Sequence, residues 1–280
     1  MCKIEKTINN YLKISANLMY DKANELCGNE IFDNDCAWYH SAWQYLRLLN
    51  VVSTPVWHDE FYTKELQNSL DSGYNILISG TADYTMLVYV SEAIKKLNLK
   101  DTNIYVLDSC KSPLFCCKWY AEKTNIIINT VNEDILKYEN EKFFDVICTD
   151  AFLTRFDKIT VPKVIDKWRK LLKKDGKIIT TVRIHDKNDL DSSNKEEAIN
   201  HFIDTVRLKT VENQKYIKFS PEQMVNLAEN YIKKMKSNNL GDEKDILNFF
   251  DKFSTKYNIK TVKGELKQTK YIELVAKKEI

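Results

Sequence analysis

Glycine and proline are scarce in this chain: 6 and 4 of 280 residues. No G-x-G-x-x-G occurs, so a dinucleotide pyrophosphate lacks its usual backbone cradle, and no G-x-x-x-x-G-K-[ST] loop exists to hold a nucleoside triphosphate. Arginine is also rare, confined to Arg47, Arg155, Arg169, Arg183 and Arg207. The other basic residues are lysines scattered among acids, and with a net charge of +2 they build no groove for nucleic acid. The seven cysteines are odd in number and contain no C-x-x-C pair, which predicts neither a zinc site nor a disulfide framework. Cys110, Cys116, Cys117 and Cys148 read as small hydrophobes of the core. The N-terminus lacks the apolar run of a secretion signal, and no window approaches 18 uninterrupted apolar residues. The expectation is a reduced, cytoplasmic, soluble protein without metal, membrane or nucleic-acid partner.

What is present is organised around the stretch from Asn75 to Asp108. Asn75-Ile-Leu-Ile-Ser79 is a short apolar strand, Gly80-Thr-Ala-Asp-Tyr84 a loop, and Tyr84 to Leu97 carries apolar residues at helical spacing. A second strand, Asn103-Ile-Tyr-Val-Leu107, ends on Asp108. This unit suits a nucleoside ligand. Without a Cβ at Gly80, a ligand can lie against backbone N–H groups at a helix N-terminus. A carboxylate at the tip of the neighbouring strand can accept hydrogen bonds from ribose hydroxyls.

Before this stretch the chain reads as helical, with Ile4, Ile8, Leu12, Ala16 and Met19 at helical spacing and a turn over Gly28–Asp35. Between Trp38 and Tyr62 it concentrates aromatic side chains and two histidines, His40 and His58. These glue a helical cap to the main domain, line a pocket for a partly apolar ligand, or do both. The prolines mark helix starts, with hydroxyl N-caps at Thr54-Pro55, Ser112-Pro113 and Ser220-Pro221, and with Pro162 opening a fourth helix.

After Asp108 the pattern alternates. A helix from Pro113 to about Lys123 leads to a strand Asn125–Asn129, the acidic segment Asn132-Glu-Asp-Ile135, and a strand from Phe144 that ends on Asp150. A helix Pro162–Lys174, stopped by Asp175-Gly176, precedes a strand Lys177–Ile184. Helices near 194–210, 221–237 and 243–256 follow, then two strands, Ile259–Glu265 and Lys270–Ala276. Alternating strands and helices imply right-handed crossovers and a parallel sheet covered on both faces, with ligands at the carboxyl ends of the strands. Gly80, Asp108, Asp150 and Arg183 fall at those ends. The expected division is a cap over 1–70 and a main domain over 71–280, with a helical insertion at about 185–257.

Over about 75–184 and the terminal hairpin, the chain resembles the class I S-adenosylmethionine-dependent methyltransferases. The resemblance implies an α/β, doubly wound, mostly parallel seven-stranded sheet with a C-terminal antiparallel hairpin, and S-adenosyl-L-methionine as cofactor. Ile76-Leu-Ile-Ser-Gly80-Thr-Ala-Asp-Tyr84 stands for the first motif, with Ser79, Gly80, Thr81 and Asp83 around the methionine part. Asp108 stands for the ribose acid with Ser109 beside it, Asp134 for the acid that meets the adenine amino group, and Asp150 for the acid facing the reacting end. The family usually carries two or three glycines in the first motif; here Ala82 and Asp83 take such places.

The implied reaction is methyl transfer to O or N of a small, partly apolar acceptor, an in-line displacement driven by proximity without a metal. A base is needed only where the acceptor arrives protonated; Asp150 and His185 are the candidates. Trp38, Tyr39, His40, Trp43 and His58 are expected on the acceptor side, with Arg183, joined by Arg155, clamping an acceptor carboxylate. A homodimer is compatible with this reading. Two alternatives stay open: another S-adenosylmethionine-using transferase or lyase on the same fold, and a non-catalytic binding or scaffold protein with a degenerate cofactor site.

Overall fold

The computed structural model describes residues 3–27, 36–52, 54–185, 195–264 and 268–279; the expected turn over 28–35 lies outside them. Helices α1 (Lys3–Leu26) and α2 (Ala37–Leu48) open the chain, and a 3₁₀ turn, Pro55–His58, leads into α3 (Asp59–Gln67). The α1 stripe of Ile8, Leu12 and Met19 is buried in the same core as Leu87, Leu114 and Tyr120 of later helices. No helix among the described residues is long and apolar enough to cross a membrane.

The centre alternates β1 (Asn75–Ser79), α4 (Thr85–Leu97), β2 (Asn103–Asp108), α5 (Lys111–Thr124), β3 (Asn129–Asn132), β4 (Phe144–Asp150), α6 (Val161–Leu171) and β5 (Leu172–Ile184). Then come α7 (Lys195–Glu212), α8 (Pro221–Lys234), α9 (Glu243–Phe249), β6 (Phe253–Lys263) and β7 (Gln268–Lys278). The strands form one sheet in the order β3-β2-β1-β4-β5-β7-β6. The first five are parallel, and β7 runs antiparallel to both β5 and β6. This is the mostly parallel seven-stranded sheet that the alternation and the resemblance imply. Its strand order reverses between β1 and β4, which opens a crevice at their carboxyl ends.

Several boundaries differ from expectation, for local reasons. Asn125 caps α5 in the left-handed conformation, and pairing with β2 begins only at Tyr105↔Asn129. Ile126 and Ile128 pack on the core while Ile127 is 89% exposed, so the strand expected at Asn125–Asn129 runs Asn129–Asn132 instead. That shift brings Glu133 and Asp134 to the strand's carboxyl end. Helix α5 starts two residues before Pro113, capped by Cys110 rather than Ser112, whereas Ser220 forms the full capping box with Gln223. Asp175-Gly176 does not stop a helix. Instead α6 ends at Leu171, and the strand is already paired at Phe144↔Leu172 before an irregular stretch with Asp175 at φ 60°. Finally, α9 ends at Phe249 rather than near 256, and β6 begins at Phe253 rather than Ile259.

Candidate functional site

A cavity of about 1270 Å³ occupies the crevice at the strand reversal. Single small-molecule sites span roughly 300–1,000 Å³, so this one has room for two ligands side by side. Gly80 forms its floor at φ 69°, with its N–H donating to the Leu107 carbonyl at 2.8 Å. A Cβ there would stand 2.3 Å from the Phe152 ring. Left-handed backbone and lack of space both demand glycine. Gly80→Ala is therefore expected to cost about 2–5 kcal/mol in urea unfolding, the sum of the left-handed penalty and overpacking.

Three acids meet this floor from neighbouring strand ends. Asp108, at the tip of β2, accepts the Thr81 N–H on Oδ2 at 3.0 Å and the Cys110 N–H on Oδ1 at 2.8 Å. Burial raises its carboxyl above the usual value, outweighing both N–H donors. Asp134, just past β3, accepts the Leu136 N–H at 3.0 Å. Asp150, ending β4, takes the Tyr62 hydroxyl at 2.8 Å and the Thr181 hydroxyl at 2.7 Å, both on Oδ1. No protein donor meets its Oδ2 among the described residues. Ala151 then turns at φ 48°, a conformation alanine rarely adopts, and the next residue, Phe152, covers Gly80.

Asp83 also lines the cavity, but its carboxylate is saturated by the protein. Oδ2 accepts from Arg47 Nη1 at 2.6 Å and Trp43 Nε1 at 2.9 Å, while Oδ1 accepts the Thr85 N–H at 2.7 Å and the Thr85 hydroxyl at 2.5 Å. Asp83 thus ties α2 to the loop that holds Gly80.

An aromatic cluster lines the same cavity. Tyr39 stacks between Trp43 (5.3 Å between ring centres, 24°) and Tyr231 of α8 (5.8 Å, 24°), with Trp38 at 6.0 Å from Tyr231. Burial pushes the Tyr39 phenol well above its usual pKa, so it stays protonated at neutral pH. Arg155 and Arg183 also line the cavity, and Arg183 Nε is buried with no hydrogen-bond partner among the described residues. Tyr231, Phe202 and the Tyr62–Thr181 pair were not singled out from sequence. Both Phe202 and Tyr231 belong to the helical insertion expected at about 185–257, but which face that insertion covers is a tertiary feature with no local signal.

Of the residues singled out from sequence, Trp38, Tyr39, His40, Trp43, Gly80, Thr81, Asp83, Asp108, Ser109, Asp134, Asp150 and Arg183 share this one cavity. Ser79, His58 and His185 are not on its wall. The Ser79 hydroxyl turns into the core and accepts from Trp168 Nε1 at 2.9 Å. Buried His58 pairs through Nδ1 with Glu273 at 2.9 Å, fastening the 3₁₀ turn to β7. The His185 backbone N–H donates to the Gly241 carbonyl at 2.9 Å. At one rim, Cys27, Cys36, Cys110 and His40 crowd together, their ligand atoms all within 4.8 Å of one another.

No protein-family model matches this sequence, and no curated protein is significantly similar to it. Solved structures are. An S-adenosylmethionine-dependent methyltransferase of Methanosarcina mazei superposes with a TM-score of 0.52 at 12% identity, covering 77% of this chain and 97% of its own. An N-methyltransferase of Haemonchus contortus, solved with phosphomonomethylethanolamine and S-adenosylhomocysteine, gives 0.53 at 12% identity over 86% of this chain and 57% of its own. TehB of Haemophilus influenzae gives 0.51 at 12%, over 84% and 66%. At such identities the likeness is one of fold, and the chain has the class I methyltransferase fold.

Proposed function

We propose that this protein is an S-adenosylmethionine-dependent methyltransferase acting on O or N of a small, partly apolar acceptor that carries an anionic group. The observation that carries this reading is the ring of Asp108, Asp134 and Asp150 around the Gly80 turn, at the strand reversal of this fold. The cofactor fits the chemistry present. Asp108 and Asp150 lie on the cavity wall with carboxylate lone pairs that no donor among the described residues takes, and these suit ribose hydroxyls and a cationic group. Asp134 suits an exocyclic amine. When bound, the cofactor supplies an activated methyl group on a sulfonium.

The chain's own contribution is position and exclusion of water. Trp38, Tyr39, Trp43 and Tyr231 line the acceptor side with aromatic rings, and Arg155 and Arg183 offer donors to its anionic end. Holding two reactants in line in a dry site supplies much of the acceleration, and a neutral amine acceptor needs no base. For a hydroxyl acceptor, Asp150 is the group on the cavity wall to take the proton. His185, off that wall, has no part in the proposal. In a calorimetric titration, S-adenosylhomocysteine is expected to bind with micromolar affinity at one site per chain while NAD does not. Absence of heat with S-adenosylhomocysteine would overturn the proposal and leave the scaffold reading.

A further inference from the structure

We infer that Cys27, Cys36, Cys110 and His40 bind one zinc ion in a closed, structural site that fastens the helical cap to the loop after β2. The inference is independent of the proposed methyl transfer.

Geometry carries it. Cys36 Sγ and Cys110 Sγ lie 3.5 Å apart, and Cys110 Sγ and Cys27 Sγ 3.7 Å apart. Zinc–sulfur bonds of about 2.3 Å at tetrahedral angles separate sulfurs by roughly 3.8 Å, so these thiols already stand near the corners of a zinc tetrahedron. The fourth corner is an imidazole, His40, from the same group of atoms within 4.8 Å. A disulfide would draw two sulfurs to about 2.0 Å and leave the third sulfur and the histidine without a purpose, whereas one metal engages all four. Three thiolates and an imidazole are the soft nitrogen–sulfur set that selects zinc over magnesium or calcium.

The surroundings favour thiolates. Cys36 is the N-cap of α2 and Cys110 the N-cap of α5, where the helix dipole stabilises negative charge. The Cys110 sulfur also accepts the Ser112 N–H at 3.4 Å, the outer-shell bond expected of a ligating thiolate. Binding exchanges thiol protons for the metal, with no change of oxidation state. Four protein ligands close the coordination sphere, so the ion takes no substrate. It joins the end of α1, the start of α2 and the start of α5. His40, expected from sequence on the acceptor side, becomes a ligand.

The test is elemental analysis of the full chain purified from zinc-supplemented cells without chelator. About one zinc per chain is expected. Cys36→Ser and His40→Ala should lose most of it, while Cys117→Ser, a buried cysteine whose thiol donates to the Asp83 carbonyl, should retain it. Folding failure of a variant does not confound the second measurement, made on the unaltered chain. After chelator treatment, added Co²⁺ should develop the intense visible bands of a tetrahedral thiolate complex, and Zn²⁺, but not Mg²⁺, should raise the melting temperature. The inference is overturned if the unaltered chain with free thiols takes up neither ion, if iron replaces zinc in the isolated protein, if mass spectrometry finds Cys36 and Cys110 joined as a disulfide, or if Cys117→Ser loses metal as fully as Cys36→Ser.

Discussion

Asp108→Ala is expected to weaken S-adenosylhomocysteine binding by about 10²- to 10⁴-fold. Two hydrogen bonds from ribose hydroxyls to a carboxylate contribute about 1.5–3 kcal/mol each, together roughly 3–6 kcal/mol. The fold should suffer less than the binding, because two effects oppose each other. Alanine leaves the Thr81 and Cys110 N–H groups without their acceptor. It also removes a carboxyl whose native pKa burial has raised. With a raised native pKa the folded state holds this proton to higher pH than the unfolded chain. The associated stability is then complete below the unfolded value of about 3.9 and lost as pH rises through the native one. At neutral pH the ionised group therefore works against the fold. Calorimetry and thermal unfolding on the same sample separate the two quantities. Undiminished affinity in the variant would show that Asp108 does not hold the ligand.

Arg47→Ala should have the largest effect on stability. The Arg47 and Asp83 side chains are 3% and 4% exposed, and their atoms meet at 2.6 Å. Arg47 Nη1 also donates to the Thr85 hydroxyl at 2.6 Å. Removing the guanidinium strands a buried carboxylate on three neutral donors, which costs about 3–5 kcal/mol. That is a large share of the ~5–15 kcal/mol that holds a typical domain. The pairing of Arg47→Met with Asp83→Asn should recover much of the loss, because the cost comes from the unpaired charge more than from the missing attraction. Urea unfolding of the unaltered chain, Arg47→Ala and the double variant measures this. A single-variant loss below about 1 kcal/mol would mean the pair is solvated in solution, as exposed pairs are.

The strands carrying the acids were legible because their signals are local. In β1, β2 and β4, short runs of Ile, Leu and Val lead directly into Ser79-Gly80, Asp108 and Asp150. Where a local signal was ambiguous the reading slipped. Ile126-Ile-Ile128 has every mark of a strand, yet an asparagine helix cap starts it outside the sheet and delays pairing to Asn129. Lys173-Lys-Asp-Gly176 has the marks of a helix end, yet it is an irregularity inside β5, because the Phe144↔Leu172 pairing starts before it.

By itself, then, the sequence determined the alternation of strand and helix, the antiparallel hairpin at the end, and the placing of Gly80, Asp108 and Asp150 at strand tips. Those features depend on side-chain period and turn chemistry over a few residues. Only the tertiary structure decided which of these groups remain open to a ligand. Asp83 looked like its neighbours until Arg47, 36 residues earlier, was seen to occupy its carboxylate. Cys27, Cys36, His40 and Cys110 follow no metal-binding spacing, because one ligand follows α1, two lie at the start of α2 and one starts α5. Their meeting is set by how α1 packs against α2 and α5, a matter of packing between elements far apart in the chain, which no local pattern encodes.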